Sequence, residues 1–229
     1  MRYAVVTVCA ALVALAAGVG GAGATIECRG LPVCVRVAGP WVVVPASRAP
    51  AQFQLTCPRG FLVGGLDAEL SDRAIDLDFG GLLGSPVNPG VTTQRSVVFR
   101  GVYTGSARRT TTFRPHIGCI PAGGGGSGPV PYRRLQAAFP PGRPTIRRVR
   151  TVRLRQGIVR AVAACGRGER LISGWHSVGV YNATTPSADV LASVSAKHTL
   201  AGGRVIATAR LIAPVRAVVQ VGAVCGGGQ

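Results

Sequence analysis

The sequence is poor in acidic residues, in lysine and in aromatic side chains, and each shortage argues against a class of function. Its 229 residues include 8 Asp and Glu against 26 Lys and Arg, and Lys197 is the only lysine. Aromatic residues make up 5% of the chain, too few for a stacking platform that binds single-stranded nucleic acid. The three histidines lie in separate segments. We therefore expect no specific nucleic-acid partner, no cofactor, no metal and no catalytic residue.

Long apolar runs and helical periodicity are also missing. No long window places apolar residues at i, i+3, i+4 and i+7, and 33 glycines and 16 prolines interrupt the chain. The apolar stretch near the N-terminus is shorter than the ~20 residues that span a bilayer, and it is followed by the small residues Ala22-Gly23-Ala24. A membrane anchor is the alternative reading, but this pattern favours a cleaved signal peptide over residues 1–24. We expect a secreted, extracellular protein whose mature chain has no transmembrane segment.

Six cysteines remain once Cys9 is removed with the signal peptide, and they are Cys28, Cys34, Cys57, Cys119, Cys165 and Cys225. An even number in a secreted chain indicates disulfides. Zinc sites need closely spaced cysteines or interleaved histidines, and neither occurs. Six cysteines allow 15 pairings. The spacing favours Cys28 with Cys34, Cys57 with Cys119, and Cys165 with Cys225, since the two long loops then have nearly equal lengths.

These two loops belong to two similar halves of the chain. In each half a strand-like run ends in C-x-R-G, and an alternating strand closes on the second cysteine, as in FQLTCPRG with FRPHIGC and in AVAACGRG with VVQVGAVC. Strands that alternate in this way bury one face. Short strands with frequent turn signals predict an all-β fold of two tandem small β-sandwich modules, Ig-like, each with one internal disulfide. The expected boundaries are 25–120 and 132–229, joined by a Gly/Pro-rich linker over 121–131.

The same segments resemble a β-rich module found in secreted actinobacterial proteins. That module has a short strand into C-P-x-G, then G-G, a variable middle and a final alternating strand that closes on a cysteine. FQLTCPRGFLVGG and FRPHIGC match it in the first half, and the resemblance covers most of residues 36 to 226. The second half departs from it at Gly166, where the pattern has proline, and at Trp175, where it has glycine. The resemblance implies a β fold and export, and no chemistry, because no activity is established for the module.

Few residues suggest catalysis or metal binding. His116, His176 and His198 are each expected to be strand or turn side chains, because a site needs converging partners. Ser177 follows His176 directly, but neighbours on a strand point to opposite faces, so this pair predicts no hydrolase. Asp76 and Asp78 would share a strand face and could ligate calcium, although a solvated acidic edge is favoured because no calcium-loop motif is present.

Arginine is the most prominent feature of the composition. The formal net charge is +18, and 11 arginines fall within residues 133–170. The predicted anion-binding residues are Arg147, Arg148, Arg150, Arg153 and Arg155. Guanidinium groups along a strand suit phosphate or carboxylate polymers. We expect a non-enzymatic binding or cell-envelope-associated protein that binds anionic polymer; the alternative is a hydrolase with a site between the modules, built from residues such as Asp76, Asp78 and His176.

Overall fold

The computed structural model describes residues 25–31, 33–80, 95–106, 109–122 and 145–226. The predicted signal peptide over 1–24 lies outside these residues, as does most of the predicted linker. The described chain is all-β, as expected, with one short helix, α1 (Ala188–Ala192). The strands are β1 (Val35–Ala38), β2 (Trp41–Val44), β3 (Ala51–Thr56), β4 (Phe61–Leu70), β5 (Ile75–Gly80), β6 (Ser96–Tyr103), β7 (Thr111–Pro121), β8 (Ile146–Leu154), β9 (Gly157–Ala164), β10 (Arg170–Val180), β11 (Val194–Ala201), β12 (Arg204–Leu211) and β13 (Ala217–Gly226).

The two halves of the chain use the same scheme of strand pairing. In the first half β7 pairs with β4 on one edge and with β1 and β2 on the other, while β6 pairs with β3 and β5. In the second half β13 pairs with β10 and β8, while β12 pairs with β9 and β11. All these pairings are antiparallel, which suits short strands joined by tight turns. Each half therefore contributes a three-stranded sheet and part of a larger one.

The larger sheet has seven strands and runs through both halves. Strand β2 joins the two parts, because it pairs with β7 of the first half and with β10 of the second. Its contact with β10 is short: Val42 is opposite Gly179, and Trp41 is opposite Val180. Beyond these positions β2 and β10 diverge. The module boundaries remain a prediction, but backbone pairing as well as covalent linkage connects the two halves.

Two hydrophobic cores lie between the large sheet and the two smaller ones. The first is built around Phe53, Phe99 and Phe113, and the second consists mostly of valine and alanine from β9 to β13. Small side chains let the two sheets of the second half approach closely. Each core also takes a residue from the other half, since Val218 belongs to the first core and Val43 packs against the second.

The three predicted disulfides are confirmed: Cys28 with Cys34, Cys57 with Cys119, and Cys165 with Cys225. The two long-range bridges are equivalent, because each ties the residue that follows an edge strand of the smaller sheet, β3 or β9, to the last strand of the same half. Cys119 and Cys225 are fully buried. In the chain-entropy model, closing a loop of about 60 residues stabilises a fold by roughly 4 kcal/mol.

The expectation that the closing strands bury one face is wrong for β13. Val219 and Val221 face the second core as predicted, but Val218 and Gln220 on the opposite face are also almost completely buried. The free edge of β3, from the first half, lies against this second face. There the side chain of Gln220 accepts a hydrogen bond from the Gln54 amide at 2.6 Å and donates one to the Gln54 carbonyl at 3.0 Å. The Gln220 amide thus bonds to the edge of β3 as a neighbouring strand would.

Candidate functional site

The arginines predicted to bind anions lie on or just beyond β8, which is an edge strand of the large sheet. Because side chains alternate along a strand, Arg147 and Arg153 point to one face while Arg148 and Arg150 point to the other. Arg155 follows the strand directly. All five are exposed. The arginines therefore line an exposed edge on both of its sides, and we call β8 with Arg155 the arginine strand.

Only one of these five arginines has an acidic partner within the described part of the chain. Arg148 donates from Nε to Glu169 Oε2 at 2.8 Å, and its second guanidinium nitrogen bonds to Oε1 of the same carboxylate. The guanidinium, together with the Gly166 amide, lowers the pKa of Glu169 to about 2. Arg147 donates to the side-chain oxygen of Gln52 at 3.1 Å, which leaves its charge uncompensated.

Edge strands carry charge for a second reason, which has nothing to do with ligands. Exposed strand edges can pair with other chains, and charged side chains on the edge prevent this. The arginines of β8 can serve this purpose. It does not account for the scarcity of acidic residues in the whole second half, since residues 132–229 contain only two, Glu169 and Asp189.

A cleft of about 490 Å³ opens where β2 diverges from β10. Residues that follow β2, between Pro45 and Gln52, form one wall, and strands β10 and β11 form the other. The cleft thus lies between the two halves of the chain, and we call it the central cleft. The side chains that line it in the described part of the chain include no arginine, lysine or carboxylate, although the protein is strongly basic overall.

Two histidines meet in the central cleft. His176 of β10 and His198 of β11 come from different sheets, and their Nδ1 atoms are 2.6 Å apart. Nε2 of His176 is 3.0 Å from the Ala196 carbonyl oxygen. Burial, followed by the neighbouring imidazole of His198, lowers the pKa of His176 and favours its neutral form. The histidines are strand side chains, as expected, but the sequence did not predict that these two meet.

The sequence did contain a signal for this pair. On β11 the side chains that face inward are Val194, Ala196 and His198, and they alternate with exposed residues. His198 is therefore at a position where this alternation predicts a buried side chain. His176 likewise faces the second core side of β10, opposite Val221. Sequence reasoning missed the pair because it could not say which strands of the two sheets face each other.

The third histidine is part of a different cluster. His116 of β7 is buried, and its Nε2 is 2.8 Å from Oε1 of Glu69 on the neighbouring strand. Arg114 approaches the same carboxylate oxygen at 3.6 Å and also donates to the carbonyl oxygen of Ala183, in the second half. This cluster is fully engaged in internal contacts and connects the two halves.

The residues named for a hydrolase are not brought together. Asp76 and Asp78 share the exposed face of β5, as predicted, but Asp78 is 3.6 Å from Arg100, and neither carboxylate lines the central cleft. Ser177 pairs in register with Gln220 while His176 pairs with Val221, so the serine and the histidine point to opposite faces of β10. The Ser177 hydroxyl is buried and has no hydrogen-bond partner within the described part of the chain.

A group formed by Cys165, Glu169 and Cys225 has the composition of a metal site, but its sulfurs form a disulfide and are not thiolate ligands. No helix within the described ranges has the length and apolar character needed to cross a bilayer. Comparison with known proteins found no matching family model, no matching curated protein and no matching solved structure.

Proposed function

We propose that this is a secreted, non-enzymatic protein of two tandem small β-sandwich modules that binds anionic polymer along the arginine strand. The observation that carries the proposal is the set of four exposed arginines there that have no acidic partner among the described residues, namely Arg147, Arg150, Arg153 and Arg155. A polymer of phosphate or carboxylate groups would meet several of these charges in succession. Two further features support an extracellular setting: three disulfides and the signal-like N-terminal sequence.

Binding of this kind has a measurable signature. Each arginine that neutralises a phosphate releases condensed counterions, so log affinity falls with log salt concentration by about 0.7 to 0.9 per contact. Four arginines therefore predict a total slope near −3 to −4. A polyphosphate or a teichoic acid of defined length is a suitable probe, because neither offers a base sequence or an apolar surface that would add other interactions.

The test compares two variants that lose the same charge from different places. In the first, Arg150, Arg153 and Arg155 are replaced together by serine. In the control, Arg160, Arg204 and Arg210, which are exposed on the outer face of the β9, β12 and β11 sheet, are replaced by serine. The first variant should lose about two to three units of salt slope, whereas the control should keep most of it. Circular dichroism should show both variants folded, because all six side chains are exposed.

Two results would count against the proposal. Equal weakening in both variants would mean that the polymer senses net charge without a site. An unchanged affinity and salt slope in the first variant would mean that the arginines of β8 only keep the edge soluble.

The hydrolase remains the second candidate, and the central cleft is the observation that favours it. It places the neutral imidazole of His176 in a pocket between the halves, where a general base would be useful. Such a site also needs a nucleophile or an acid beside the base. A screen with chromogenic ester, phosphodiester and glycoside substrates tests this candidate, with His176→Ala as the control for any activity found.

A further inference from the structure

The central cleft brings two imidazole nitrogens together, Nδ1 of His176 and Nδ1 of His198. We propose that His176 and His198 bind one divalent transition-metal ion through their Nδ1 atoms, and that Cu(II) fits best among ions that prefer imidazole. The proposal is independent of polymer binding, since the arginine strand and the central cleft share no residue.

The first support is the orientation of His176. A backbone carbonyl can only accept a hydrogen bond, so the contact between Nε2 and the Ala196 oxygen at 3.0 Å places the ring proton on Nε2. The lone pair of Nδ1 then points towards His198. Metal-binding histidines are commonly fixed in this way, with the second ring nitrogen donating to a carbonyl or a carboxylate.

The second support is the distance between the two nitrogen atoms. Metal to imidazole bonds are about 2.0 Å long, so two cis ligands in a square-planar complex lie about 2.8 Å apart, and two ligands in a tetrahedral complex lie about 3.3 Å apart. The observed separation of 2.6 Å is that of a hydrogen bond between the two rings, and it is already close to the spacing of two cis ligands. His176 can keep its orientation, but the His198 ring must turn so that its lone pair points at the same ion. Square-planar geometry is typical of Cu(II) and Ni(II), and Cu(II) binds nitrogen sites more tightly.

The surroundings also suit a cation. Among the described residues, the cleft is lined by no arginine or lysine side chain. Both rings are partly exposed to the cleft, so water from the cleft can complete the coordination. The Nδ1 proton of His198, which now bridges the two rings, would move to its Nε2 by exchange with water, so that the neutral ring presents the lone pair of Nδ1 to the metal.

The test uses the full mature chain with its disulfides intact, freed of metal by chelation and titrated with Cu(II) alone. We expect one equivalent to bind, with hyperfine couplings in the electron paramagnetic resonance spectrum from two equatorial imidazole nitrogens. Removing an outer-shell partner of a metal ligand weakens metal binding by about 10- to 100-fold. His176→Ala and His198→Ala each remove a direct ligand, so each should weaken binding by about 100-fold. His116→Gln serves as the control and should bind as the unchanged protein does, because His116 contacts Glu69 and lies outside the cleft.

A measurement on the unchanged protein guards against variants that fold poorly. Titration with diamagnetic Zn(II), followed by proton nuclear magnetic resonance, should shift the ring signals of His176 and His198 and leave those of His116 in place. A copper spectrum with one imidazole or none, binding within threefold of the unchanged protein in either alanine variant, or equal loss in His116→Gln would each overturn the proposal.

Discussion

The contact between Gln220 and Gln54 offers a direct test of how the two halves hold together. Gln220 is 2% exposed, and its side-chain amide bonds to both the backbone amide and the carbonyl of Gln54, as well as to the hydroxyl of Thr151. Replacing Gln220 by leucine keeps the volume of the side chain but removes all three hydrogen bonds. Thr151 is exposed, so its hydroxyl can turn to water at little cost.

The cost of this change falls on the backbone of Gln54. A buried polar group left without a partner destabilises a protein by about 1–3 kcal/mol. Gln54 is half-buried, so the lower part of that range applies to each of its two backbone groups. We therefore expect Gln220→Leu to lower the free energy of unfolding by about 2–4 kcal/mol. Urea denaturation measures this change from the transition midpoint, provided that the slope stays constant.

Gln54→Ala is the matched control. It removes the side chain of Gln54 but keeps the two backbone groups that Gln220 contacts, so its effect should stay within about 0.5 kcal/mol. A loss below about 0.5 kcal/mol for Gln220→Leu would refute the reasoning, because the lost bonds would then be replaced by water. So would an equal loss for Gln54→Ala, which would assign the effect to the side chain of Gln54.

Two further predictions concern charge and the connection between the halves. Because the folded-state pKa of Glu169 is about 2, below its ordinary value of 4.5, its stabilising effect is present above pH 4.5 and is lost as pH falls towards 2. Glu169→Gln should therefore be less stable than the unchanged protein at pH 7, with urea midpoints that converge by pH 2; a constant gap would contradict this. Proteolytic cleavage within 123–131 should give two fragments that co-elute on size exclusion until denaturant is added. They should stay together because β2 pairs with β10 and Gln220 bonds to Gln54. Separate elution would show that these contacts do not hold the halves together.

The local chemistry of the chain was readable without a structure. Alternation of apolar residues predicted the strands, because a strand that buries a face must repeat every two residues. The cysteine spacing predicted all three disulfides, since equal loops in similar halves favour equivalent bridges. The concentration of arginine in this segment was also visible, but its exposure on both faces of β8 depends on the position of that strand at the edge of the sheet.

Other properties depended on which sheets face each other, and alternation carries no information about that. Val218 and Gln220 occupy positions on β13 that alternation assigns to solvent, yet the edge of β3 covers them. The contact between β2 and β10 likewise joins strands more than 130 residues apart in the chain. His176 and His198 were each visible as strand residues, but only the packing of one sheet on another brings their Nδ1 atoms to 2.6 Å. Sequence determined the strands, the bridges and the charge of this protein; tertiary packing decided the central cleft, because distances between sheets are set by side chains from both halves at once.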